Sequence, residues 1–329
     1  MNRAADPEDV PGLPPEFGFI RRNFLPLAGA AALGLSDDAA VFSPPPGREI
    51  VAAADAMVAG VHFLPDDPPE TVGAKLLRVN LSDLAAMGAV PLGYLLTLSV
   101  PPDLEPGWFE AFAAGLAADQ RRFELSLLGG DTTATTGGPL VLSLSILGTV
   151  PPRQALRRNG ARAGDGIWVS GTIGDGALGL DVLQGRAQDP TGWLAERYRR
   201  PSPRTGLGWR LLGVASAAMD VSDGLLQDLG HLCRASGVSA LVDADGVPAS
   251  PAAAAFGDAS LERRLTGGDD YELLFAVPPE REGELASAAA EAGVPVTRIG
   301  RFEAGPPTVT ARHSDGTLLR PARLGWSHF

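Results

Sequence analysis

Met219–Leu232, MDVSDGLLQDLGHL, is the stretch whose reading decides the fold of the second half of this chain. "AAMDV" has the composition of a short strand, and Leu225, Leu226, Leu229 and Leu232 recur with the spacing of one helix face. A strand therefore runs through Ser222 and Asp223 into an amphipathic helix. A helix start presents free backbone N–H groups and a partial positive charge, and one Asp or Ser there serves as an ordinary cap. Here Asp220, Ser222 and Asp223 all stand at one helix mouth. One cap suffices, so the surplus of carboxylates points past capping to chemistry.

Outward from this stretch, "GIWVSG", "SALVDA", "YELLFAV" and "PVTRIGRF" read as further strands, with helices beginning at "GDGALGLDVLQG" and spanning about 282–292. "PPRQALRRNGARAGD", from Pro151, breaks the pattern and predicts a domain boundary. Ahead of it, the runs around "PPPG" predict a hairpin from Ala39 to Met57, and a helix is expected from Thr71 to Met87, ended by Gly88. "LGYLLTLSV", "LSLLGGD" and "LVLSLSILGTV" read as strands and "GWFEAFAAGLAADQRRF" as an amphipathic helix. Met1 to Pro15 is polar and Pro-rich without a period. The expected organisation is a flexible extension over 1–15, a mixed α/β domain over 16–150 and a second α/β domain over 151–329.

With 329 residues, 45% of them hydrophobic, the chain is long enough for two domains with a substantial core. A formal charge of -12 with scattered arginines argues against nucleic acid and anionic lipid as partners. No apolar run reaches the roughly 20 residues of a membrane helix, and no basic, apolar leader opens the chain, so a cytoplasmic protein with no membrane partner is expected. Cys233, the single cysteine, rules out an intrachain disulfide and a thiolate zinc cluster, and reads as a core residue. Lys75 is the single lysine, and "VGAKLL" lacks the glycine-rich lead-in of a P-loop.

Acidic residues recur beside Gly, Ser or Thr at element junctions: Asp37 and Asp38 in "LSDDAA", Asp55 in "AADAM", Asp131 in "GGDTT", Asp220 and Asp223, and Asp269 and Asp270 in "GGDDYE". Asp83 sits within a helix and shares a face with Asn80. Each alone is an ordinary turn or cap. Gathered in a fold, such carboxylates would repel and raise one another's pKa unless cations were present. Hard oxygen donors without a His pair or thiolates suit Mg²⁺. Magnesium beside Gly-flanked loops suggests phosphoryl transfer, in which the protein positions groups and neutralises charge. No convincing nucleophile motif occurs, and His62, His231, His313 and His328 are dispersed, so no catalytic nucleophile is expected from the protein.

Taken in order, "EFGFI", "SDDAAVF", "DAMVAGVHF", "KLLRVNLSDLAAMGA", "GGDTT", "RRNGARAGD", "RPSPR", "MDVSDGLLQDLGH", "GGDDYELLF" and "GWSHF" resemble the thiamine-monophosphate kinase family, within the aminoimidazole ribonucleotide synthetase-like superfamily. The resemblance runs from about Glu16 to Phe329. It implies a two-domain α/β fold whose N-terminal mixed sheet pairs across a homodimer. It also implies the reaction of ATP with thiamine monophosphate to give thiamine diphosphate and ADP, by direct in-line transfer with several Mg²⁺ ions. The family pattern places metal ligands on Asp38, Asp55, Asp83, Asp131, Asp220 and Asp223, ATP contacts on Gly130, Asp131, Arg158 and Ser222, and substrate contacts on His62, Asp269 and Trp326.

Three departures from the family pattern involve four positions. Ala53 and Ala54 stand where hydroxyl residues are usual, Asp269 where Glu is usual, and Ser36 where Gly is usual. Alternatives within the superfamily are another ATP-dependent enzyme or a catalytically silent metal- and nucleotide-binding member. Cys233 stands at neither end of the chain, where the selenophosphate synthetase and hydrogenase-maturation relatives carry a functional cysteine.

Overall fold

Residues 15–105 and 107–327 are described by the structure, a computed structural model. The extension expected over 1–15 therefore lies outside the described residues up to position 14, as do His328 and Phe329 of the terminal motif. The chain divides into two compact units. One gathers the residues up to Pro45 with Ala52–Asn80 and Pro91–Leu147, and the other gathers Pro46–Val51, Leu81–Val90 and the chain from Gly148 onward.

In chain order the elements begin α1 (Pro15–Asn23), β1 (Glu49–Val58), α2 (Pro69–Ala86), β2 (Val90–Val100), α3 (Trp108–Phe123), β3 (Ser126–Ala134) and β4 (Val141–Val150). The strands form one sheet in the order β1-β4-β2-β3. β2 and β3 run parallel, which requires a crossover, and α3 is that crossover. Its interior side is apolar because Phe109, Phe112 and Leu116 fall on one helical face, and all three are buried.

The hairpin expected over 39–57 does not form. Only β1 is a strand there, and its neighbour is β4. Pro44, Pro45 and Pro46 follow the would-be first strand and supply no N–H donors with which the pairing could start at the turn. The N–H of Val41 instead donates to the Ala31 carbonyl at 2.9 Å. Asp37 and Asp38 are thereby left on an irregular, exposed segment.

The second unit continues with β5 (Gly166–Ser170), α4 (Asp175–Leu183), α5 (Trp193–Arg199), α6 (Thr205–Gly208), β6 (Ala217–Val221), α7 (Leu225–Ser236) and β7 (Ser239–Asp243). It closes with α8 (Pro251–Ala254), α9 (Leu261–Thr266), β8 (Glu272–Val277), α10 (Glu282–Ala292), β9 (Val296–Glu303), β10 (Val309–Arg312) and β11 (Leu318–Leu319). Its seven-stranded sheet runs β11-β10-β7-β9-β5-β8-β6, with β10 and β7 parallel.

β8 is buried along its whole length, and its alternation separates two cores. Leu274 and Ala276 pack with Leu225, Leu226, Leu229, Leu232 and Cys233 of α7. Leu273, Phe275 and Val277 pack on the other face with Leu207, Leu211 and Leu285. The expected strands and helices of this half are all present, and Cys233 is a core residue as expected. The fold is the two-sheet α/β architecture read from the sequence. Among the described residues no helix is long and apolar enough to cross a membrane.

Candidate active site

β6 delivers Asp220 to its C-terminal end, and α7 begins five residues later. The cap of α7 is neither Asp220, Ser222 nor Asp223. Asp228, one turn inside the helix, turns its carboxylate back, and its Oδ2 accepts the N–H of Ser222 at 3.1 Å, Asp223 at 3.0 Å and Gly224 at 3.1 Å. Gly224 has φ 130°, and a Cβ there would press on the Thr266 carbonyl, so the turn is restricted to glycine. The side chains of Ser222 and Asp223 are thus released from capping. Asp228 was not singled out in the sequence; the signal for it is a carboxylate four residues after a loop glycine, on a face that is otherwise apolar.

Asp220 is 5% exposed, and Ser82 on α2, next to Asp83, donates its hydroxyl to Asp220 Oδ2 at 2.7 Å. Burial pushes the Asp220 carboxyl above the usual range and Asp223 adds to this, while the Ser82 hydroxyl and the Arg158 charge oppose it. Asp228 is pushed up to about 7, by burial first and then by the charges of Asp220 and Asp223. Carboxylates set this close, with Asp220 and Asp228 both raised, form a place where a hard cation would relieve repulsion.

The "GGDDYE" segment docks on the same mouth. Asp269 N–H donates to the Ser222 carbonyl at 2.9 Å, Tyr271 N–H to Val221 at 2.8 Å, and Trp326 N–H to Asp223 at 2.9 Å. Gln227 on α7 donates from Nε2 to both Asp223 Oδ2 and the Trp326 carbonyl. Asp269 and Trp326, distant along the chain, are therefore hydrogen-bonded to Ser222 and Asp223, two and three residues after Asp220.

Asp269 and Tyr271 both have left-handed backbone, with φ 69° and 51°. Such residues cost about 1–3 kcal/mol each and persist where the surroundings fix them. Asp270, between them, points inward and takes the N–H of Gly174 at 2.8 Å and Gly176 at 3.1 Å, at the start of α4. Burial holds its carboxyl well above the usual range, opposed by those two N–H groups. Glu272, fully buried, accepts from Ser170 Oγ at 2.6 Å, Arg204 Nε at 2.6 Å and Arg197 Nη2 at 3.0 Å. This buried network supports Asp269 and had no counterpart in the sequence reading.

In the first unit, Asp38, Gly130 and Asp131 line one cavity of about 170 Å³ with Phe24, Leu96 and Leu98. Gly130 lies opposite Leu96 in the β2–β3 pairing, and a Cβ there would enter the Leu96 backbone. Asp55 lies in the second half of β1, and its N–H donates to Asn80 Oδ1 at 3.1 Å. The flanking Ala53 and Ala54 offer no side-chain oxygen. His62 accepts the Val58 N–H at Nδ1, 3.0 Å, and its carbonyl accepts from the buried Lys75 Nζ at 2.9 Å.

Asp38, Asp55 and Asp131 belong to the first unit, and Asp83, Asp220 and Asp223 to the second. Among the described residues no three of His, Cys, Asp or Glu already form a metal cage. The donors are nevertheless all hard oxygens with raised or exposed carboxylates among them, and that chemistry fits Mg²⁺.

Comparison with known proteins decides the family. The N-terminal domain model of AIR synthase related proteins matches residues 36–150, and the C-terminal domain model matches 162–312. The thiamine-monophosphate kinase of Caulobacter vibrioides is 46% identical, over 99% of this chain and 93% of that one. This chain belongs to the thiamine-monophosphate kinase family. Its activity class is that of a thiamine-phosphate kinase. The crystal structure of the family member from Stenotrophomonas maltophilia K279a matches with TM-score 0.79 and 43% identity, covering 87% of this kinase chain and 91% of that one. "AaThiL complexed with AMPPCP and TMP" matches with TM-score 0.76 and 33% identity, covering 89% and 91%.

Proposed function

We propose that this chain transfers the γ-phosphoryl group of ATP directly to the phosphate of thiamine monophosphate, giving thiamine diphosphate and ADP, with several Mg²⁺ ions. The observation that carries the reading is the mouth of α7, where backbone hydrogen bonds join Asp269 to Ser222 and Trp326 to Asp223, just after the buried Asp220. A family relative complexed with AMPPCP and TMP supports the two substrates.

In this reading Asp38, Asp55, Asp83, Asp131, Asp220 and Asp223 would hold Mg²⁺, which would supply neutralisation of phosphate charge. Gly130, Asp131, Arg158 and Ser222 contact ATP. The Ser222 hydroxyl is available because Asp228 already satisfies the backbone N–H groups of its loop. His62, Asp269 and Trp326 orient thiamine monophosphate, with Asp269 fixed by its left-handed backbone and by Asp270 beneath it. No side chain acts as a nucleophile, because the acceptor phosphate oxygen attacks in line and positioning supplies the rate.

Residues 16–150 act as the ATP- and Mg²⁺-binding domain that pairs with its copy in a homodimer, and residues 151–329 as the C-terminal α/β domain, in the cytoplasm. The test is incubation of the purified protein with ATP, Mg²⁺ and thiamine monophosphate, with chromatographic separation of thiamine phosphates. Thiamine diphosphate formed from the monophosphate, but neither from free thiamine nor in EDTA, is the expected result. A folded protein that makes none refutes the reading.

A further inference from the structure

A helix N-terminus with several free backbone N–H groups is a ready anion site, and many proteins place a phosphate there. In this chain the three N–H groups of Ser222, Asp223 and Gly224 are already taken by a single oxygen of Asp228, which is 2% exposed. The loop is thus closed by an internal carboxylate. Phosphate is denied those donors, and the side chains of Asp220 and Asp223, whose Oδ2 atoms accept from Ser82 and Gln227, are not spent on the helix start.

We propose that Asp228 is a positioning residue: by filling the backbone anion site of the Val221–Gly224 turn from within α7, it sets Asp223 and Asp220 to receive a divalent cation instead of a phosphate. The inference rests on the metal reading of this loop proposed above. A charge-neutral acceptor at the same place would keep the turn, because one oxygen makes all three contacts. An apolar side chain of similar size would release it.

The experiment uses the full chain and does not depend on turnover. Amide hydrogen exchange is followed at Ser222, Asp223 and Gly224 in metal-free protein, and Mn²⁺ binding is measured by calorimetry. In D228L the three loop amides exchange at least about tenfold faster than in the parent, while Leu229 to Cys233 hold their rates, and Mn²⁺ binds about 10–100-fold more weakly, the scale for losing an outer partner of a metal ligand. D228N, which keeps an acceptor oxygen, stays within about threefold of the parent on both measures. Unchanged loop exchange or unchanged Mn²⁺ affinity in D228L overturns the proposal, as does a D228N variant as impaired as D228L. Should D228L not fold, D228N and the parent decide: unprotected amides at 222–224 in the parent refute the closure outright. Failure of the kinase reading is separately visible as no thiamine diphosphate from a parent protein whose loop is protected and binds Mn²⁺.

Discussion

Replacing Glu272 by Gln should unfold the second unit well before the parent protein. Glu272 is 0% exposed and its two oxygens serve Ser170, Arg197 and Arg204 together. Burial alone would push the Arg204 pKa down, yet it is raised, because the hydrogen bonds and charge of Glu272 outweigh that burial. The amide of Gln would place a donor against a guanidinium donor, remove the carboxylate that pairs with Arg204, and leave buried Arg197 with the more distant Asp175 at 3.9 Å. Breaking a buried pair by removing one partner costs about 3–5 kcal/mol. At about 2–4 °C per kcal/mol for a domain of this size class, the melting temperature drops by roughly 6–20 °C.

The assay is thermal unfolding followed by circular dichroism, with the triple variant E272L/R197M/R204M as control. An apolar replacement of the whole cluster is often neutral or stabilising, so that variant should recover most of the loss. Because Glu272 follows directly on Asp270 and Tyr271, E272Q should also weaken binding of thiamine monophosphate more than of ATP. A shift below about 1 kcal/mol, within ordinary surface-mutation scatter, refutes the claim that this carboxylate holds the network.

Asp220→Asn keeps an oxygen for the Ser82 hydroxyl but removes the negative charge, so Mg²⁺-dependent product formation should fall by at least about 100-fold while the melting temperature in EDTA is held or rises, since a buried charge is relieved. Gly130→Ala should cost about 1–3 kcal/mol in urea unfolding, because its Cβ meets the Leu96 backbone across the β2–β3 pair and overpacking is felt there. Cys233, fully buried with its pKa pushed up to about 11 by burial against the opposing Arg234 charge, should resist a thiol reagent at pH 8, where about a thousandth is thiolate, and react fully once the chain is unfolded in urea.

The sequence carried much of this molecule because its signals are local. The leucine period of α7, the alternation of β4 and the turn chemistry around Gly88 each depend on neighbours within a few residues. The hairpin at Ala39–Met57 failed for the complementary reason. Strand pairing is a contest between distant partners, and β4 won β1 while the first run turned its Val41 N–H to Ala31. β10 is four residues long and gains its place from pairing with β7 and β11, so no periodicity announces it.

At the site the division is the same. The ordered series of acidic motifs gave the family and the candidate ligands, since those residues are chosen by chemistry and stand out against a background of glycine and serine. The sequence alone could not say which carboxylate does which work. Asp228 looks like any polar residue on a helix, and Asp270 like a twin of Asp269, until the chain folds and one points inward to the α4 amides while the other lies at the mouth of α7. What the sequence by itself determined was the architecture and the kind of chemistry, because both are written in residue type and short-range spacing. What only the tertiary structure decided was which carboxylates, Asp228 and Asp270, are turned to backbone donors inside the fold, because those donors are brought to them by folding.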